Sequence, residues 1–408
     1  MASARAQQYS LYLMAFASSF GTITIMTLMP TYIDLLDPSG IVIGLFVSGL
    51  AIAQAVATVP IGWAGDRFDK RLILLGAILV SAVAYVLFAF VETSAGFVGA
   101  RVLQGMGVTG VGLLSLALVS QLAPDDSRAN TIGKFNAWKL AAGIVGTLGA
   151  GALYQQFGFD AVFGLLVALT LLSFYGVWRY THPDRTSVGF SYGGLALNRR
   201  ILTISSFRFQ YAFSVTIVRN WVPIYVGVST VRGGLAFGAL AVGVVIAAER
   251  FSNMLFQPYT GSLSDRHGRA IFVLFGGGAY GALALLLPFT PTIAAALDPA
   301  LDPRIALLGI AVCLNALIGV ADAFREPASM GLFADEGTSS GGVASSFGIR
   351  DLVWKPGSIV APLVGGVVMT DVGMEWVFYL GGAFALSGVA SMIILLVRAH
   401  GRGGITSW

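Results

Sequence analysis

The feature that most constrains this chain is the alternation of long apolar runs with short charged breaks. Lipid offers the backbone no hydrogen-bond partners, so a segment that enters it must satisfy its own N–H and C=O groups. A helix does so, and about 20 mostly apolar residues carry one across the hydrocarbon core. Cutting at the charged or turn-rich breaks leaves twelve runs, at 10–35, 41–63, 72–91, 96–122, 132–155, 159–180, 201–227, 235–259, 270–290, 304–331, 346–370 and 375–398. Only 11% of the 408 residues are charged and 56% are hydrophobic, whereas a soluble domain carries about 25% charged residues. The chain reads as an all-α integral membrane protein of twelve transmembrane helices with the lipid bilayer as its solvent.

Several function classes fall away on composition. Cys313 is the single cysteine and sits in an apolar run, which excludes a disulfide framework or a cysteine metal site. His182, His267 and His400 have no ligand spacing. Neither a metal nor another cofactor is expected. A net charge of +4 without any basic tract gives no reason to expect a nucleic-acid partner. No nucleophile–base arrangement marks an enzyme, and no GxxxxGK[ST] loop marks an ATPase, so uphill transport would need an ion gradient. The first run is too long for a signal-peptide core and reads as the first span.

The longest connection, "THPDRTSVGFSYGGLALNRR" from Thr181 to Arg200, divides six runs from six. It separates an N-terminal bundle, 1–180, from a C-terminal bundle, 201–408, with 181–200 as linker. Lys and Arg outside the runs crowd onto the side of the linker and both termini, and the other side has only Arg232 and Arg304. By the positive-inside rule both termini and the linker are cytoplasmic. Two stretches echo each other across the halves. "GWAGDRFDKR", Gly62 to Arg71, matches "GSLSDRHGRA", Gly261 to Ala270, and "AWKLAAGIVGTLGAG", from Ala137, matches "VWKPGSIVAPLVGG", from Val353. Echoes in the same order imply an internal duplication, the plan of many secondary transporters.

On these residues the chain resembles the major facilitator superfamily. Its loop signature is met by Gly62, Asp66, Arg67, Lys70 and Arg71, with Asp69 in place of the second Gly. In the second half Gly261, Asp265, Arg266, Gly268 and Arg269 meet it, with Ala270 at the last basic position. The Arg-x-x-Gln-Gly-x-Gly signature is present as Arg101, Gln104, Gly105 and Gly107. The resemblance implies two pseudo-symmetric six-helix bundles, a central cavity and alternating access, and the chain is expected to act as a monomer. It also implies that Asp66, supported by Gly62, Arg67 and Arg71, helps latch the halves, with Gly261, Asp265, Arg266 and Arg269 as the matching latch. The alternative is that these charges only set topology. The family's antiporter signature has a Gly-Pro pair where this chain has Gly146-Thr147, which weakens an exporter reading.

Ionisable groups inside a membrane are functional hypotheses by default, and most of this chain's lie in the second half. Glu249, Asn253 and Gln257 recur every four residues, on one helical face. Asp322 and Glu326 stand one turn apart beside Arg325 and Pro327. Eight basic groups (Arg101, Lys139, Arg208, Arg219, Arg250, Arg325, Arg350, Lys355) face five acidic ones (Asp34, Glu249, Asp322, Glu326, Asp351). Uncompensated cations attract an anion. The expectation is a carrier of a small organic anion in the plasma membrane, coupled to protons as in symport. Arg101, Arg219, Arg250, Asn253, Gln257 and Lys355 are its candidate substrate ligands, and Glu249, Asp322 and Glu326 its proton carriers. The alternatives are a multidrug or metabolite exporter driven by proton antiport, and, from another class, a sensor that moves nothing. Snorkelling competes for the lysines and for Arg350, and interhelical hydrogen bonding competes for the Glu-Asn-Gln stripe.

Overall fold

The computed structural model describes residues 4–122, 128–183, 199–297, 301–339 and 343–400. The linker residues 184–198 lie outside them. The described elements are helices: α1 (Ala4–Leu36), α2 (Gly40–Arg67), α3 (Lys70–Ala89), α4 (Ser94–Leu122), α5 (Arg128–Tyr180), α6 (Arg199–Gly227), α7 (Ala239–His267), α8 (Arg269–Leu286), α9 (Thr290–Ala295), α10 (Pro303–Ser339), α11 (Val343–Asp371) and α12 (Met374–His400). Short 3₁₀ turns occupy Thr230–Arg232 and Leu287–Phe289. Among the described residues eleven helices are long and apolar enough to cross a membrane. One of them, Thr131–Tyr180, is 50 residues long. It comprises two helices that meet at Gly158 and is not one straight rod. It is kinked at Gly158, the one residue in it with non-helical angles (φ 74°, ψ −166°). A positive φ of that size suits glycine and few other residues.

The chain forms two compact units. Unit 1 comprises Met1–Pro38, Leu45–Phe190 and Phe237–Gly243. Here α1 packs along α5, and α3 lies between α4 and α5. Gly107 of α4 sits so close to α3 that a Cβ there would meet the Ala77 carbonyl at 2.9 Å. Tyr32, Phe88, Phe97 and Phe163 form an aromatic cluster, pinned where the Tyr32 hydroxyl donates to the Phe88 carbonyl at 2.8 Å. At the start of α3 the Asp69 carboxylate caps the helix by accepting from the Arg71 N–H at 2.9 Å.

Unit 2 comprises Ser39–Gly44, Ser191–Ala236 and Val244–Trp408. Its α6 packs on α12 and α11, and α8 packs on α10 and α12. Small residues again set the distances. A Cβ at Gly276 of α8 would lie 2.6 Å from the Ala321 carbonyl of α10, and one at Gly319 would lie 2.2 Å from the Glu249 carbonyl of α7. Polar side chains bind α7 and α10 along their length. The Asn315 amide donates to the Val245 carbonyl at 2.6 Å, and the Thr260 hydroxyl to the Ala323 carbonyl at 2.6 Å. This close approach brings the charged residues of α6, α7 and α10 together.

A paired substitution on α8 tests the packing. Gly276→Ala must push α8 off α10 and is expected to cost about 1–3 kcal/mol, the range for overpacking. Gly278, two residues on, has nothing within 4 Å of its missing Cβ. Its alanine variant should melt at or slightly above the wild-type temperature, because Ala forms helix better by up to about 1 kcal/mol. Thermal unfolding of both variants in detergent decides this.

Candidate functional site

α6 places Arg208, Tyr211 and Arg219 in register, since 208 and 219 are about three helical turns apart. On α7 the four-residue spacing aligns Glu249, Asn253 and Gln257, and on α10 Asp322, Arg325 and Glu326 follow one another around a single turn. α11 adds Arg350 with Trp354 and Asp351 with Lys355, each pair four apart. All of these residues belong to unit 2.

Together they make an alternating line of charge. Arg219 contacts Glu249 at 2.7 Å and Asp322, also at 2.7 Å. Asp322, fully buried, is held from its other side by Arg325 at 2.6 Å. Arg325 lies 4.0 Å from Glu326 and stacks over the Tyr211 ring at 4.5 Å. The Tyr211 hydroxyl donates to Asp322 at 3.3 Å. The order is Glu249, Arg219, Asp322, Arg325, Glu326: three carboxylates around two guanidiniums.

This line borders a cavity of about 300 Å³. Five cations line it, Arg208, Arg219, Arg325, Arg350 and Lys355, with Glu326, Asp351 and the Trp354 ring. Arg208 is 5% exposed. Its Nε donates to the Arg350 carbonyl at 2.7 Å, and its guanidinium lies 4.7 Å over the Trp354 ring and 6.0 Å from the Phe333 ring. Arg350 reaches Asp351 at 3.3 Å. Counting the buried Glu249 and Asp322 with Glu326 and Asp351, five cations stand against four carboxylates. Such a wall favours an anion, and its fixed N–H groups offer charge-assisted hydrogen bonds.

The residues singled out from the sequence distribute unevenly. Arg219, Lys355 and Glu326 line the cavity, and Glu249 and Asp322 stand directly behind Arg219. Asn253 donates to the Gly319 carbonyl at 3.3 Å, and Gln257 donates to Asn253 at 3.0 Å and to Glu326 at 3.5 Å. They brace the wall and are not part of its lining. Arg250 does not line the cavity either, and its Nε is buried without a hydrogen-bond partner. Arg101 lies in unit 1, 3% exposed, donating to the Phe46 carbonyl at 2.9 Å and to Gln104 at 2.8 Å.

Neither loop motif is part of the cavity lining. Arg67 stacks on Trp63 at 4.8 Å, beside Gly62 and the half-buried Asp66, and Arg71 donates to the Trp178 carbonyl. In unit 2, Arg269 pairs with Asp265 at 2.7 Å and also with Asp335, Arg266 is exposed, and Gly261 approaches Pro327. Arg208, Arg325, Arg350, Asp351 and Trp354 on the wall, with Tyr211 behind it, are the site residues that the sequence did not single out as ligands. The Trp354-Lys355 echo and the buried run around Arg208 were the signals that point to Trp354 and Arg208.

A sequence model of the Major Facilitator Superfamily matches residues 11–297. A staphyloferrin B transporter of Staphylococcus aureus is 31% identical over 169 residues, which is 40% of this chain and 40% of that one. A chromaffin granule amine transporter of Rattus norvegicus is 24% identical over 360 residues, 86% of this chain and 65% of that one. The chain thus spans less than two thirds of the length of either relative. The crystal structure of the nucleoside transporter NupG (D323A mutant) has a similar fold, with a TM-score of 0.75 at 15% identity over 95% of this chain and 99% of that one.

The charged line makes a stability prediction. Asp322→Ala leaves two guanidiniums facing each other in a buried site and is expected to cost about 3–5 kcal/mol. Asp351→Ala removes a carboxylate whose side chain is 72% exposed, and should change stability by no more than about 1 kcal/mol. Unfolding of the two variants in one detergent, followed by helical signal, checks the contrast.

Proposed function

The chain belongs to the Major Facilitator Superfamily, and on that premise we propose that it is a secondary transporter carrying a small organic anion across the plasma membrane by alternating access. It is a multi-pass transporter, not an enzyme. In this reading the two arms of α5 on either side of Gly158 count as separate crossings, which gives twelve spans with both termini in the cytoplasm. The domains are 1–180 and 201–408, and the chain works as a monomer. The observation that carries the substrate class is the cavity wall, five cations against four carboxylates. Arg208, buried and without an ion pair among the described residues, calls for counter-charge, and a bound anion would supply it.

Arg219 is the element through which a proton would act. It is shared between Glu249 and Asp322, so protonating either carboxylate frees one side of the guanidinium to turn to the substrate. Glu326, at the end of the line and on the cavity wall, is the third candidate proton carrier. Asp66 with Arg67 and Arg71, and Asp265 with Arg266 and Arg269, are proposed as the conformational latches beside Gly62 and Gly261. Arg101 and Arg250 stay candidates for substrate contact in other conformations of the carrier, and Asn253 and Gln257 support the wall.

A second reading, export of an organic amine by proton antiport, is favoured by the amine transporter matched over 86% of this chain. The two readings part in liposomes. For the anion carrier, an inward proton gradient of one pH unit should drive about tenfold accumulation per coupled proton. Glu249→Gln should abolish accumulation and leave exchange of labelled for unlabelled anion running. Accumulation of a lipophilic amine against an outward proton gradient, with no anion movement, would select the exporter.

A further inference from the structure

The cavity's charges do not all need a ligand, and sorting them narrows what the ligand is. Arg219 is matched by Glu249 and Asp322, Arg325 by Asp322, and Arg350 by Asp351. Two cations remain without an ion pair among the described residues, Arg208 and Lys355. Arg208 is the more telling. It is 95% removed from solvent, counting from its 5% exposure, and its fixed contacts are a carbonyl and aromatic rings. The carbonyl takes its Nε, so both terminal nitrogens stay available to the cavity. A guanidinium in that position is shaped to take a carboxylate through two parallel hydrogen bonds. Lys355 stands on the same wall, next in sequence to Trp354, whose ring carries Arg208; it is exposed, so its ammonium is held in water and reaches a ligand from the open side of the cavity.

Deepening the anion-carrier reading, on which this inference rests, we infer that the ligand is a compact dianion, one charge forked by Arg208 and the other met by Lys355. A monoanion leaves one of these cations unmatched, and an amine leaves both. The size agrees: a cavity of about 300 Å³ has room for a short-chain dicarboxylate. Glu326 opposes the ligand. It lies on the cavity wall as the open end of the charged line, 4.0 Å from Arg325 and accepting from Gln257 at 3.5 Å. Asp351 on the same wall is already met by Arg350.

The test is a thermal-shift titration of the purified full chain with dicarboxylates from oxalate to adipate, with butyrate as monoanion and a lipophilic amine as cation, at one pH and constant ionic strength. At least one dicarboxylate should stabilise at a concentration tenfold or more below butyrate. In Lys355→Gln that preference should fall to about the butyrate level, and Glu326→Gln should tighten dicarboxylate binding. Arg208→Met should lose the dicarboxylate shift and, without ligand, melt at or above wild type, because it removes an unmatched buried charge. Arg208→Lys keeps the charge and should bind several-fold more weakly. If butyrate stabilises as well as every dicarboxylate, the dianion inference fails and the anion reading stands. If the amine alone stabilises, both fail. An Arg208→Met protein that melts as low as Asp322→Ala would make Arg208 a structural residue and overturn the assignment.

Discussion

A charge inside an apolar bundle must be met by another charge, and the second unit is organised around that requirement. Asp322 is fully buried between Arg219 and Arg325. Taking it from water costs several kcal/mol, of order the penalty for any buried ion, and only close opposite charge offsets that. The offset demands that α6, α7 and α10 approach to salt-bridge distance, and this is possible because Gly319 lets α10 touch the backbone of α7 at Glu249. The Asn315 and Thr260 hydrogen bonds then hold the two helices at that spacing. Small residues, polar side chains and ion pairs are thus successive parts of one constraint.

Unit 1 meets the same requirement differently. Its deeply buried Arg101 rests on a backbone carbonyl and the Gln104 side chain, both neutral. Around it the packing is aromatic and glycine-mediated, as in the Tyr32 cluster and at Gly107. The two units therefore diverge in chemistry: among the described residues, Arg101 of the first rests on neutral groups, and the second holds a charged line with a cavity beside it.

Much of the fold was legible because charged breaks are rare in so apolar a chain. Hydropathy marks lipid, however, and not helix. α10 continues as helix to Ser339, beyond the apolar run that ends at 331. The run that starts at 235 becomes helix only at Ala239, after a 3₁₀ turn and loop with Ala236 at φ 54° and the Arg304 side chain on the Leu235 carbonyl. At Gly158 the two agree: the sequence shows a break between two runs, and the backbone there is non-helical (φ 74°, ψ −166°), a kink at which two helices meet. At the site, the Glu249-Asn253-Gln257 stripe was visible because helical periodicity is local. Its pairing with Arg219 of α6 is tertiary and left no mark in spacing. Arg208 was the hardest to recognise, because an arginine near the end of a run looks like one that snorkels to water. Burial against Trp354, far along the chain, distinguishes the two.

The same physics separates the charges that the fold needs from those that set the sign of the cavity. The folding requirement is satisfied by the alternating line alone, with three carboxylates around two guanidiniums. Adding the Arg350–Asp351 pair changes nothing in net charge. The sign of the cavity then rests on Arg208 and Lys355, which no helix needs for its packing partner charge. Exchanging these two for neutral residues leaves the line one negative charge in excess, a wall suited to a cation. On the anion-carrier proposal, selectivity is separable from fold: it would reside in Arg208, whose buried charge a bound anion would offset, and in the exposed Lys355 beside it.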